Sequence, residues 1–193
     1  MKSFHSIDGS ITAPQGFLAA GLFCDVKSLG TGKGSNKGQK RDLALIVSEV
    51  PAKAAGMFTT NQICAAPVKV CVKHIADGKA QAVVINSGNA NACTGPRGLK
   101  DAKEMAALLA EELLLQPEDV LVGSTGRIGL ELPMPNIRTG ISQIVKELDD
   151  SPSAAHHAAE AILTSDTQPK EIALRFKLAG KTVLLGGIAK GAG

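Results

Sequence analysis

The chain has 193 residues, a formal charge of +3, 44% hydrophobic residues, only 3% aromatic ones, and neither Trp nor Tyr. That length fits one domain, residues 1–193, with room for a sizeable core. A weak charge excess with almost no aromatic side chains to stack bases argues against nucleic-acid binding, and the apolar runs are far too short to span a bilayer.

The opening residues, from Met1 to Gly9, show neither an apolar core nor an Arg-rich amphipathic pattern, so no signal or transit peptide is expected. Residues 9–30 read as extended segments broken by Pro14 and Gly16. Residues 30–41 form a Gly/Lys-rich stretch expected to be a flexible surface loop, its Lys33, Lys37, Lys40 and Arg41 solvated. Asp42 to Ser48 is mostly apolar and reads as a buried strand. A turn from Pro51 to Gly56 and a strand over Met57–Asn61 are expected next. Pro67 to Ile75 is ambiguous between strand and helix.

Gln81 to Asn86 reads as a buried strand running into a turn-rich loop, Ser87–Gly95. Leu99, Ala102, Met105, Ala106, Leu109 and Leu113 then recur at helical spacing, and Pro117 closes that helix. Val120–Val122 is a short strand leading into a Gly123-Ser124-Thr125-Gly126 loop. Ile137, Ile141, Ile144, Val145 and Leu148 mark a second helix. Ser151 as N-cap and Pro152 at the first helical position open a third, Ala-rich one. Alternation through Ile172, Leu174, Phe176 and Leu178 marks a strand that turns at Ala179–Lys181 and returns over Thr182–Ile188. A core of Ala, Val, Ile and Leu suits helices lying close on a sheet. Mixed helices and antiparallel hairpins indicate α+β or a layered α/β sandwich.

The chemistry-bearing patterns are few. Gly32-Lys33 is followed by Gly34 rather than Ser or Thr, so no phosphate-binding loop is present, and Ser35 stands where a dinucleotide fingerprint needs glycine. His156 and His157 are adjacent on a helix and point to different faces, so no metal site is expected. His5 and His74 add no ligand triplet, and no G-x-S-x-G elbow is present. No cofactor is expected. Cys24, Cys64, Cys71 and Cys93 lack C-x-x-C spacing and read as reduced thiols of a cytoplasmic protein. The Asn86–Gly95 loop can turn backbone N–H groups toward an anion, or it can be a structural turn held by Asn side chains. At Gly123–Gly126, a backbone N–H near Gly126 and the Thr125 hydroxyl could bind a developing oxyanion; taken alone, the loop does not decide for it. The abrupt end at Gly193 reads as a mobile terminus, a truncation or a processed chain.

These segments together resemble the ornithine acetyltransferase family, the glutamate N-acetyltransferases of arginine biosynthesis. The resemblance rests on Ile11–Phe17, Asp42–Ile46, Ala55–Asn61, Asn86–Gly95, Ser124–Gly126, Thr164–Lys170 and Gly187–Gly193, with Asn86–Gly95 the most specific. Residues 30–41 read as a loop insertion, and Arg127 stands where a smaller apolar residue is common.

The resemblance implies a layered α-β-β-α sandwich shared with DmpA-type self-cleaving aminopeptidases and similar in principle to N-terminal-nucleophile hydrolases. It implies a precursor that cuts itself into α and β chains before a Thr beyond Gly193, with this chain as the α part of an α2β2 heterotetramer. A new N-terminal Thr has an α-amine with a reference pKa of about 7.7–8.0, able to serve as base for its own hydroxyl. Thr125 and Gly126 would form the oxyanion hole, and Thr167 and Lys190 would contact substrate. The implied reaction is ping-pong: N2-acetylornithine acetylates the Thr, ornithine leaves, and glutamate takes the acetyl group. Acetyl-CoA is a possible further donor. The competing classes are a self-cleaving amidase or aminopeptidase, and a non-catalytic amino-acid-binding domain. On the acetyltransferase reading, the chain alone lacks the nucleophile and is inactive.

Overall fold

A computed structural model describes residues 4–27 and 40–191. The Gly/Lys-rich stretch of 30–41 lies outside the described residues apart from Lys40 and Arg41. Among the described residues, seven strands form two sheets, and four α-helices with assigned bounds pack on them. The larger sheet has the order β2-β3-β4-β5, with β2 at Phe17–Leu22, β3 at Leu43–Lys53, β4 at Lys79–Asn89 and β5 at Val120–Arg127. Its first two pairings are antiparallel and β4–β5 is parallel. The smaller sheet has the order β1-β6-β7, with β1 at His5–Ser6, β6 at Lys170–Leu178 and β7 at Lys181–Ala189.

Helices α1 (Ala66–His74), α2 (Gly95–Leu113) and α3 (Met134–Ile144) cover one face of the larger sheet. There Leu43, Leu45, Val84 and Val120 meet Met105, Leu109, Ile137 and Ile141 in the main core. Each such side chain contributes roughly 1.5–3 kcal/mol by leaving water. On the other face, Ala19, Ala44 and Ile85 pack against helix α4 (Pro152–Ala161) and against Ile188 of β7. The layered α/β architecture expected from the sequence is present.

Small residues set the spacing of that second interface. Gly21 of β2 lies so close under α4 that an added Cβ would sit 2.1 Å from the His157 carbonyl oxygen. The helix facing it exposes almost nothing but alanine to the sheet: Ala154, Ala155, Ala158, Ala159 and Ala161 are all buried. Ser151 caps it as expected, its hydroxyl accepting from the Ala154 N–H at 3.2 Å.

Asp42 fixes the chain entering β3. Its buried carboxylate accepts from the backbone N–H groups of Cys24 (2.7 Å), Val26 (2.8 Å) and Lys27 (3.0 Å), folding that segment back over the sheet. Burial, with the Asp42 charge as a second cause, holds the Cys24 thiol far above the ordinary thiol range.

Four expectations change. The turn at Pro51–Gly56 gives way to a longer β3, which runs to Lys53 with a register shift between Val47 and Ala52. Pro51 sits in that irregular stretch, where its missing N–H costs no ladder bond. Met57–Asn61 is not a strand. It is exposed, and local side-chain bonds turn it: the Thr59 hydroxyl accepts from the Asn61 N–H, and the Asn61 side chain from the Ile63 N–H, both at 3.1 Å. The ambiguous Pro67–Ile75 segment is helical, with Pro67 in its first turn and Lys73 and His74 in its last. Finally, Ser87–Asn89 and Gly123–Arg127 are not loops; both continue their strands.

The close approach at Gly21 gives a direct test. Gly21→Ala should lower stability by about 1–3 kcal/mol through overpacking, seen as a lower midpoint in denaturant melts. An unchanged midpoint would mean that α4 does not lie where described.

Candidate active site

The parallel ladder between β4 and β5 aligns Asn86 with Ser124, Ser87 with Thr125, and Gly88 with Gly126. Alternation along the strands sends successive pairs to opposite faces. On the core side, the Ser124 hydroxyl donates to Asn86 Oδ1 at 2.6 Å, and Asn86 Nδ2 donates to the Asn89 carbonyl at 3.0 Å. On the α4 side, the Ser87 hydroxyl donates to the Ala161 carbonyl at 2.5 Å. Thr125 shares that side and stays half-exposed.

Gly88 and Gly126 both have positive φ, +124° and +130°. A Cβ on Gly126 would lie 2.2 Å from the Gly88 carbonyl oxygen, and one on Gly88 would lie 2.9 Å from that of Val26. Only glycine fits at both places.

Strand β5 is the sheet edge, and α1 seals its first half. The Cys71 thiol donates to the Val122 carbonyl at 3.0 Å, and its sulfur accepts from the Val122 N–H at 3.3 Å. His74 Nδ1 lies 2.8 Å from the Val120 carbonyl.

Lys190, just past β7, reaches across to this edge. Its ammonium donates to the Thr125 hydroxyl and to the Thr164 hydroxyl, each at 2.9 Å. Asp166 anchors the segment that carries Lys190. Its carboxylate accepts from Lys170 Nζ at 2.8 Å, from the Gly191 N–H at 2.5 Å and from the Thr164 N–H at 3.3 Å. The Lys170 hydrogen bond, then that of Gly191, holds the Asp166 carboxyl well below the usual carboxylate range.

Beside this cluster lies a 270 Å³ cavity whose walls include Lys40, Arg41, Glu160, Thr164, Asp166 and Thr167. The Arg41 guanidinium donates from Nε to the Gly21 carbonyl at 3.0 Å and from Nη1 to Glu160 at 2.7 Å.

Of the four residues singled out in the sequence, Thr125 and Lys190 are in direct contact, Gly126 adjoins Thr125, and Thr167 lines the adjacent cavity. Thr164, Asp166 and Arg41 were missed as site residues. Thr164 and Asp166 fall within the Thr164–Lys170 motif, but nothing local marks them apart from an ordinary polar turn. The Asn86–Gly95 segment serves the structural alternative. Asn86, Asn89 and Asn91 each donate their amide to a backbone carbonyl, of Asn89, Glu131 and Gly98 respectively.

His156 pairs with Glu171 at 2.6 Å, while His157 lies 3.4 Å from the Ser153 hydroxyl. Among the described residues, no group of three or more His, Cys, Asp and Glu is placed to hold a metal ion, and no helix is long and apolar enough to cross a membrane.

The ArgJ family profile matches residues 27–193. The arginine biosynthesis bifunctional protein ArgJ of Symbiobacterium thermophilum is 49% identical over 185 residues, covering 96% of this chain. That of Caldanaerobacter subterraneus subsp. tengcongensis is 46% identical, covering 97%. The chain spans 44% and 43% of the length of these two relatives. Among solved structures, the ArgJ protein of Bacillus halodurans superposes with a TM-score of 0.90 at 42% identity. Mycobacterium tuberculosis ornithine acetyltransferase, crystallised with ornithine, superposes at 0.87 and 37%. Both comparisons cover 100% of this chain and 96% of the solved chain.

The Asp166 anchor makes the site acid-sensitive in a defined window. A carboxyl whose folded pKa is depressed gives stabilisation that is complete above the unfolded value of about 3.9 and is lost as pH falls through the lower folded value. The Gly191 amide and Lys190 side-chain NMR signals should therefore hold steady from neutral pH to about 4 and move only below it. A midpoint at or above 4 would show that Asp166 does not hold this segment.

Proposed function

The chain belongs to the ArgJ family, and on that premise we propose that it is the α chain of a two-chain acetyltransferase. The enzyme would move an acetyl group from N2-acetylornithine to glutamate through an acetyl-threonine on a β chain cut from the same precursor. The partial span of the relatives' length supports a longer precursor. The observation that carries the reading is the convergence of Lys190 on Thr125 across two sheets.

The chemistry follows from who donates. Because the Lys190 ammonium donates to Thr125 Oγ1, the Thr125 hydroxyl proton is directed elsewhere and remains available to a developing oxyanion. A charged donor behind it polarises the hydroxyl and makes it the stronger donor.

The second donor is the Gly126 N–H. Along β5, Val120 and Val122 turn their polar backbone groups to the outer edge, where Cys71 and His74 meet them. The Arg127 carbonyl turns the other way and accepts from the Ala90 N–H at 2.8 Å. The same alternation carries the Gly126 N–H to the outer edge, beyond the stretch that α1 seals. Two donors from adjacent residues then converge on one point, as oxyanion stabilisation requires.

Lys190 has three N–H donors, of which Thr125 and Thr164 take two. The third suits the α-carboxylate of an amino-acid substrate, with Thr167 contacting the same molecule from the cavity wall. The same arrangement would admit N-acetylglutamate synthesis from acetyl-CoA if that thioester reaches the nucleophile. No cofactor enters this scheme, and the assembly proposed is an α2β2 heterotetramer in the cytoplasm.

The assay uses the complete two-chain protein. Wild type should transfer acetyl from N2-acetylornithine to glutamate. Thr125→Ala should lower kcat about 10²–10³-fold, or roughly 2.7–4 kcal/mol of barrier, with little change in KM. Amide hydrolysis without transfer would point instead to the amidase class. Running acetyl-CoA in parallel tests the second donor.

A further inference from the structure

A transferase working by ping-pong between ornithine and glutamate faces a problem of charge. The two amino acids share one site in turn, yet one side chain ends in an ammonium and the other in a carboxylate. A pocket of one sign would bind one and repel the other. The cavity beside Thr164 contains both signs. Resting on the acetyltransferase reading above, we propose that the Arg41–Glu160 pair in this cavity reads the substrate side chain, with Arg41 receiving the glutamate carboxylate and Glu160 the ornithine ammonium.

Position supports this assignment. Thr164 belongs both to the Lys190 cluster and to the cavity wall. Two hydrogen bonds of 2.9 Å thus connect Thr125, where the acetyl carbonyl would lie, to the cavity rim. In both substrates, four bonds of about 1.5 Å separate the α-nitrogen from the δ-carbon, so a side chain entering here brings its end group into the cavity. A volume of 270 Å³ has room for such a side chain.

The buried Lys27 ammonium donates to the Arg41 carbonyl and Lys40 is exposed, which leaves Arg41, Glu160 and Asp166 as the half-buried charges of the walls. Asp166 is consumed by Lys170, Gly191 and Thr164. Arg41 commits Nε to Gly21 and one Nη1 hydrogen to Glu160, which leaves three of its five N–H donors. A guanidinium fixed at its Nε side by a backbone carbonyl can still present the Nη1/Nη2 fork to a carboxylate. Glu160 uses Oε2 for Arg41, while Oε1 lies 3.7 Å from His156 Nε2. With both side chains about one-third exposed, the pair is neither locked in the core nor fully screened. It satisfies itself when the cavity is empty and reorganises around either end group.

The α4 placement serves the same end. Gly21 lets the helix approach, and the Gly21 carbonyl is the group that orients Arg41 toward Glu160 near the helix end.

The test measures kcat/KM separately for N2-acetylornithine and for glutamate on the complete two-chain enzyme. Arg41→Gln should lower kcat/KM for glutamate about tenfold or more while changing that for N2-acetylornithine severalfold less. Glu160→Gln should do the reverse. Arg138→Gln, which breaks the remote Arg138–Glu104 pair on the helical face, controls for loss of an ion pair and should alter neither. Equal losses for both substrates, or no loss, in folded variants would overturn the proposal.

Should Arg41→Gln fail to fold, Arg41→Lys keeps the charge but loses the fork, and a loss confined to glutamate is again expected. Absence of transfer in the wild type would sink the acetyltransferase reading itself, an outcome distinct from any of these.

Discussion

The site depends on a close parallel contact between two glycines. Gly88 and Gly126 stand opposite one another in the β4–β5 ladder, both with positive φ, with no room for a Cβ between Gly126 and the Gly88 carbonyl. A side chain at Gly126 would push the strands apart, and one at Gly88 would strike the backbone of Val26 and Lys27. With glycine at both, the ladder continues past the core, and Ser87 and Thr125 keep their register to the strand ends. The Asn86–Ser124 hydrogen bond lies two residues before the glycine pair and locks the same register from the face opposite Ser87 and Thr125. Thr125 is therefore presented by a paired strand rather than by a mobile loop, which suits a group that must be aimed before the reaction starts.

The edge position of β5 then acquires a purpose. An exposed strand edge invites unwanted pairing, and α1 blocks it with Cys71 and His74 only as far as Val122. Thr125 and Gly126 lie beyond that point. The Cys71 thiol fills a structural role: burial pushes its pKa up, and its sulfur is engaged by the Val122 backbone. On the proposed function, edge protection and oxyanion binding would divide one strand between its two halves.

Much of this was legible in the sequence, for physical reasons that also explain the failures. The helical spacing of Met105, Ala106 and Leu109 reflects burial, which periodicity records; the alternation of Ile172, Leu174, Phe176 and Leu178 marks the strand but not its buried face, since Ile172 and Leu178 are about half exposed and Ala173 between them is buried. The caps Ser151–Pro152 follow from local hydrogen bonding. Gly123–Gly126 looked like a loop because glycine and small polar residues usually mark turns, whereas here they mark a place where backbones touch. Met57–Phe58 looked like a strand because apolar residues in sequence do not reveal whether a partner edge exists. Thr125, Gly126, Thr167 and Lys190 are singled out through resemblance to a family rather than decided by any local pattern. The roles of Thr164, Asp166 and Arg41 depend on contacts across long sequence separations, such as the 119 residues from Arg41 to Glu160, and no local pattern encodes them.

Those long-range contacts also explain why Lys190 can serve two masters. A lysine on an unsupported terminal segment would lose several rotamers' worth of entropy on each binding event. Here Asp166 holds the Gly191 N–H, so the backbone beside Lys190 is tied before any ligand arrives. Thr125 and Thr164 then fix the ammonium between β5 and the cavity rim. The cation that would strengthen the oxyanion donor is also the one that would receive the substrate carboxylate. On the proposed mechanism, binding and activation would be coupled through a single charge, so replacing Lys190 by a neutral side chain would remove both effects together, whereas replacing Thr125 would remove only the second.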